Sequence, residues 1–201
     1  YKYSYISKAK QLGEQVLELS KKYFDETAHS SIALAYRTIG SYYTQEGKYT
    51  TAIQYFEKAM NIQRNIYGEE HPELVPLCIS LAKAYMADGK LERGKTFLDQ
   101  ALKIQKKHFT GAHPETAMIN SILGDYYYYK AEEREALKYY QLGLEENMSC
   151  FGENHLRVAL SYQDVGLLQG ALGNVIIGLS TLEKALKIQL QYLGKDHCEL
   201  A

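Results

Sequence analysis

Histidine, cysteine and paired carboxylates are the residues in this chain that could do chemistry, and their spacing decides what they do. Five histidines stand at positions 29, 71, 113, 155 and 197, a constant step of 42 (71 minus 29, 113 minus 71, and onward) without insertion or deletion. Imidazole is a frequent metal ligand, but shared zinc coordination needs ring nitrogens about 2.1 Å from one ion. A step of this length holds two helices, and packed helix axes lie about 8–10 Å apart. Equivalent rings therefore stay out of shared reach, and no metal site is expected. Each imidazole instead reads as a hydrogen-bond partner of linker backbone that sets the entry into the next helix. His108 falls outside the register and is expected at the surface.

Cys78, Cys150 and Cys198 are far apart and lack disulfide-framework spacing. They read as free thiols of a reducing compartment, cytosolic or nuclear. Cys78 fits a small packing residue, while Cys150 and Cys198 fall in linkers. No basic surroundings are evident that would activate a thiolate. The carboxylate pairs Glu69-Glu70, Glu132-Glu133 and Glu145-Glu146 are expected to coat solvated faces, because adjacent helical residues point about 100° apart. Phosphate-loop, zinc-helix, dithiol and nucleophile-elbow strings are missing. The chain is read as no enzyme, with no cofactor.

The elements that carry these residues follow from the period. A fixed repeat of this length is the mark of a stacked helical array, which grows by adding units around no single core. The chain divides into a partial unit over 1–29, full units over 30–72, 73–114, 115–156 and 157–198, and the start of another. A first helix is expected over 4–24. The next unit gives a helix over 33–45, a turn at Gly47 and a longer helix over 51–67. Later turns fall at Gly89, Ala131 and Gly173. Ala33, Val75, Ala117, Ala159 and Ala201 share the slot that opens a first helix, so the chain reads as a segment of a longer array.

Superposing the units on the 42-residue step shows three slots restricted to small residues. They hold Gly40, Ala82, Gly124 and Gly166, then Ala52, Gly94, Ala136 and Gly178, then Ala59, Ala101, Gly143 and Ala185. Helical glycine costs ~1 kcal/mol relative to alanine, so its recurrence points to helix backbones passing too close for larger side chains. Tyr43, Tyr85 and Tyr127 share a core slot that Gln169 breaks, so the fourth unit is expected to pack less well there. Within Tyr126-Tyr127-Tyr128-Tyr129, Tyr127 is expected in the core and Tyr129 in packing. Tyr128 is divided between packing and a binding face. Val175 to Leu179 reads as a buried patch, and no apolar run approaches the ~18 residues of a membrane span. A net charge of −1 argues against a dominant nucleic-acid surface.

Tyr36-x-x-Ile39-Gly40-x-x-Tyr43, Gly47-Lys48-Tyr49, Ala52, Phe56 and Ala59 together resemble the tetratricopeptide repeat. The 42-residue form, ending in Gly68-Glu69-Glu70-His71-Pro72 and, shifted by one, Gly111-Ala112-His113-Pro114, is similar to that of the kinesin light chain. The resemblance covers effectively the whole chain. It implies an all-α fold, a right-handed α-α superhelix of about four helix-turn-helix repeats plus a flanking half-repeat. It also implies a concave groove lined by the first helix of each unit. Carried over residue by residue, the candidate peptide groove comprises Arg37, Ser41 and Thr44, then Ile79, Ser80 and Lys83, then Ser121, Asp125 and Tyr128, then Gln163 and Leu167. Leu34, Thr38, Met86, Met118, Ile122 and Asp164 lie in neighbouring groove slots.

Two departures narrow what the resemblance implies. Kinesin light chains carry an Asn-Asn pair where this chain has Arg37-Thr38, Ile79-Ser80, Ser121-Ile122 and Gln163-Asp164, so their cargo-peptide specificity is not carried over. The carboxylate clamp of chaperone-binding domains is matched by Arg37 alone. The expected function is a non-catalytic scaffold that takes a peptide or partner helix in the groove. It would be cytoplasmic and part of a larger protein or assembly, a cargo adaptor or a cytoskeletal or ciliary scaffold. The partner is a protein or peptide, with no nucleic acid and no membrane span. The alternatives are a regulatory domain of a nucleotide-switch or peptide-pheromone receptor, and a structural spacer.

Overall fold

The computed structural model describes residues 2–23 and 29–193. The linker over 25–28 and the expectations for His197, Cys198 and Ala201 lie outside the described residues. Nine α-helices follow one another among those described: α1 (Lys2–Tyr23), α2 (Ser30–Gln45), α3 (Tyr49–Tyr67), α4 (Val75–Ala87), α5 (Leu91–His108), α6 (Pro114–Tyr129), α7 (Glu133–Phe151), α8 (Leu156–Ala171) and α9 (Val175–Leu193). A short 3-10 turn, Pro72–Leu74, precedes α4. The chain divides into two compact units, Tyr1–His108 and Phe109–Ala201. Within each unit every helix packs on its neighbour in sequence.

The histidines explain where helices begin. His29, His71, His113 and His155 hold extended backbone. Each Nδ1 accepts from the amide two residues on, at 3.3, 3.2, 3.2 and 3.1 Å respectively. That bond satisfies one of the amides orphaned at a helix start, the usual task of Ser, Thr, Asp or Asn. In three of the four the ring is also held by an aromatic four residues earlier. Tyr67 stacks on His71 at 4.6 Å, Phe109 lies on His113 at 4.4 Å and Phe151 stacks on His155 at 4.5 Å. His108 is exposed, and its Nε2 lies 2.9 Å from the Glu70 carbonyl.

Turn residues carry the left-handed backbone that closes each hairpin. Gly47, Gly89 and Gly173 have φ of 71°, 77° and 88°, and Ala131 takes the same region at 58° without glycine's freedom. Glu69 and Glu70 lie on a solvated face, as expected, and there they form surface ion pairs. Glu69 pairs with Arg64 at 2.9 Å, and Glu70 pairs with Lys103 at 2.6 Å and Lys107 at 2.5 Å. Hydrogen bonds from the two lysines hold the Glu70 carboxyl down at about 2.

The small-residue slots have a more specific cause than backbone proximity. A Cβ on Gly40 would come within 2.6 Å of the Phe56 ring, and one on Gly124 would strike the Tyr140 ring. These glycines seat a large ring from the second helix of their own repeat. Where the partner is Leu98, the slot holds Ala82, and both are fully buried. The second slot does involve backbone, since a Cβ on Gly178 would lie 2.8 Å from the Gly166 carbonyl and one on Gly94 2.9 Å from the Ala82 carbonyl.

The tyrosine slot is half of a repeated stack. Tyr43 stacks on Tyr55 at 5.5 Å, Tyr85 on Phe97 at 5.6 Å and Tyr127 on Tyr139 at 5.1 Å. In the fourth repeat Gln169 and Thr181 occupy these two positions and share a hydrogen bond of 3.3 Å, so the contact changes chemistry there. A second periodic feature is polar. Gln63, Gln105, Asn147 and Gln189 share one slot, and the last three are buried. Asn147 donates from Nδ2 to Ser161 Oγ at 2.9 Å, tying α7 to α8.

Several expectations are corrected. Tyr127 is half-buried, and Tyr126 is the core residue at 3 % exposure. Tyr129, expected in packing, is 65 % exposed. Cys150 lies within α7 rather than in a linker. Val175 to Leu179 is not a buried patch, because Ile176 is 85 % exposed and Val175, Ile177 and Leu179 are exposed beside it. The physical reason is register. Ile176 and Ile177 occupy the slots of Arg134 and Glu135, and of Glu92 and Arg93, which face outward at the start of each second helix.

Candidate functional site

The first helix of each repeat presents one open line of side chains. Ser41, Lys83, Asp125 and Leu167 share a slot, and all four are exposed. Four residues on, one helical turn further along the same face, Gln45, Ala87, Tyr129 and Ala171 share a second slot and are exposed as well. Sequence reasoning found the first line and missed the second, although spacing of four from Ser41 and Asp125 was the available signal.

The candidate groove residues divide by accessibility. Ser41, Lys83, Asp125, Tyr128 and Leu167 are exposed, whereas Arg37, Thr44, Ser80, Ser121 and Gln163 are half-buried. Ile79 is only 5 % exposed. It belongs to the packed face and is removed from the groove set. Ser121 shares its slot and leans the same way, since a Cβ on Gly143 would meet its Oγ at 3.0 Å. The slot of Arg37, Ile79, Ser121 and Gln163 therefore borders the helix contact rather than open surface.

In the unit Tyr1–His108 the open line is hydroxyl-rich and basic. Thr38, Ser41, Thr44 and Ser80 donate to carbonyls four residues back, at 2.9, 3.0, 3.0 and 2.9 Å. Their hydrogens are thus occupied locally and their oxygens remain as acceptors. Lys83 adds positive charge to the line, with half-buried Arg37 beside it. In the unit Phe109–Ala201 the open line is acidic and aromatic, with Asp125, Tyr128, Tyr129 and Leu167. Tyr140, from α7, donates its hydroxyl to Asp125 Oδ1 at 2.7 Å. Burial, and then Asp125, raises the Tyr140 phenol well above the usual range, so it stays a donor.

Among the described residues, no side chains are gathered as an assembled reaction centre. Burial pushes the Cys78 thiol up to about 12, and burial with Glu146 raises Cys150. Both thiols are unpaired and poorly disposed to act as thiolates. Among the described residues, no three His, Cys, Asp or Glu side chains gather in a way that could hold a metal ion. No described helix is long and apolar enough to cross a membrane.

Comparison with known proteins agrees with this geometry. Two curated relatives, each a clustered mitochondria protein homolog, come from Aedes aegypti and Culex quinquefasciatus. They are 26 % and 25 % identical over 173 residues, 86 % of this chain, which spans 12 % of the length of each. Among solved structures, the nearly identical TPR-like repeats of a kinesin light chain from Podosopora anserina superpose with a TM-score of 0.74 at 23 % identity, covering 94 % of this chain and 89 % of that one. BtubC (BKLC) from P. vanneervenii gives 0.79 at 22 % identity, covering 97 % and 77 %. At that identity these structures establish a shared fold. The sequence model of the tetratricopeptide repeat matches residues 31–77 and 75–145. With helical hairpins on a 42-residue period and small residues where rings and backbones meet, the chain belongs to the tetratricopeptide repeat family.

Proposed function

We propose that this chain is a non-catalytic scaffold that holds a polypeptide partner along the open faces of its first helices. The observation that carries the reading is one slot, Ser41, Lys83, Asp125 and Leu167, which stays exposed in all four full repeats while its chemistry changes from hydroxyl to cation, anion and hydrocarbon. The small-residue packing slots keep their character from repeat to repeat. A slot that is always exposed yet varied suits the reading of a partner's sequence. The scaffold works in the cytoplasm as part of a larger protein or assembly, with Arg37, Ser41, Thr44, Ser80 and Lys83 in or beside the open face of the unit Tyr1–His108, and Ser121, Asp125, Tyr128, Gln163 and Leu167 in or beside that of the unit Phe109–Ala201. The cargo-adaptor form is supported by names that attach similar repeats to mitochondria and to a kinesin. Reversing Lys83→Glu together with Asp125→Lys should abolish capture of the partner in pull-downs while leaving helicity by circular dichroism unchanged. Undiminished capture by that variant would overturn the reading.

A further inference from the structure

Helices α6, α7 and α8 of the unit Phe109–Ala201 form an open-mouthed cavity of about 240 Å³, lined by Tyr128, Tyr140, Asp164, Leu167, Leu168 and Ala171. That is the volume of about eight waters, ample for one long side chain. Its walls are hydrocarbon and phenol apart from the Asp164 carboxylate. Asp164 occupies the slot of Thr38, Ser80 and Ile122, and Ile122 is 4 % exposed. A carboxylate therefore sits where the preceding repeat buries a branched alkyl group. Among the described residues, no hydrogen-bond donor or cation reaches it. The nearest influence is unfavourable: burial first, and then the charge of Asp125, raises the Asp164 carboxyl to about 6. A half-buried anion left uncompensated is costly, and such groups concentrate where a ligand completes them.

We propose that this cavity receives a lysine or arginine side chain of the polypeptide partner, with its alkyl stem along Leu167, Leu168 and Ala171 and its charged head at Asp164. The inference rests on the scaffold reading and names the chemistry of what that scaffold holds. Long basic side chains lay an apolar stem on hydrocarbon and keep the head on a charge. Tyr128 lines the cavity, and an aromatic ring can attract a cation. Tyr140, by donating to Asp125 Oδ1 at 2.7 Å, fixes the second carboxylate near the entrance. A hard metal ion fits poorly, because it requires six or more oxygen ligands and these walls supply few.

The test uses the 201-residue chain and a fluorescein-labelled peptide of alternating Ala, Arg and Leu, with a twin carrying citrulline for every arginine. Citrulline keeps the shape and loses the charge. Fluorescence anisotropy should show the arginine probe binding about tenfold tighter than its twin, the factor that ~1.4 kcal/mol gives. Asp164→Asn should bring that ratio within about twofold of unity. Asp99→Asn, which removes the same charge from the exposed face of α5, should preserve it. Equal binding of the two probes, an unchanged ratio in Asp164→Asn, or a ratio lost equally in Asp99→Asn would each overturn the proposal. If a polypeptide is captured at the first-helix faces while the probes bind alike, the basic-side-chain assignment fails and the scaffold reading stands. If nothing is captured at those faces, both fail.

Discussion

The Asp164 carboxylate couples stability to acidity in a direction opposite to that of an ion-paired acid. Its folded-state value is raised, from 3.8 to about 6, so the folded chain binds the proton more tightly than the unfolded chain does. Its penalty is absent below about pH 4, grows between pH 4 and 6 and is complete above 6. Asp164→Asn should therefore stabilise the protein at pH 7.5 and give no gain at pH 4. With the group partly solvated, the gain is on the order of 1–2 kcal/mol after discounting the shift for screening. Urea midpoints of both proteins at the two pH values check this, and an equal effect at both would refute it. A second residue-scale prediction concerns Ala131. Its left-handed backbone is strained for an L side chain, so Ala131→Gly should stabilise by about 0.5–1 kcal/mol. Gly89→Ala should lose a similar amount, through strain alone, because a Cβ there would meet no atom within 4 Å. Urea denaturation should show midpoint shifts of opposite sign.

Between elements, stability depends on matched pairs across each hairpin. Gly40 faces Phe56 and Ala82 takes the slot opposite Leu98, whereas Gly166 faces Leu182 where the Gly178 carbonyl also crowds it. Gly40→Ala places a methyl 2.6 Å from the Phe56 ring and should destabilise by about 1–3 kcal/mol, the usual cost of overpacking. Adding Phe56→Leu should recover most of that loss, because it recreates the Ala82 and Leu98 pair. A double-mutant cycle measures the coupling, and simple additivity would show the pairing to be wrong. The stacks of Tyr43 on Tyr55, Tyr85 on Phe97 and Tyr127 on Tyr139 follow the same logic. Their replacement by Gln169 and Thr181 exchanges an aromatic contact for a hydrogen bond rather than leaving a gap.

Over the whole molecule, periodicity made the architecture readable from sequence. The 42-residue step located the helix pairs, the small slots and the capping role of the histidines, because each repeat solves the same packing problem with interchangeable residues. Local register was harder to read. Ile176 and Ile177 looked buried by type, yet they stand where other repeats carry Arg134 and Glu135. Tyr126 and Tyr127 are equal as letters, but Tyr126 shares its slot with buried Ala84 and Leu168, whereas Tyr127 shares one with half-buried Tyr43 and Gln169. Ile79 and Ser121 looked like groove residues because the family's first helices line a groove, but their slot borders the second helix. The Asp164 cavity needed coordinates, since Tyr140 reaches it from a different helix. What stayed legible was the slot of Ser41, Lys83, Asp125 and Leu167, and the scaffold reading stands on it. Its most direct test is site-specific photo-crosslinking in cells. A benzophenone side chain is placed singly at positions 41, 83, 125 and 167, and at the equally exposed second-helix positions 57, 99, 141 and 183. The scaffold reading predicts crosslinked polypeptide from the first set and none from the second. Crosslinks confined to the second set, or missing from both, would contradict it.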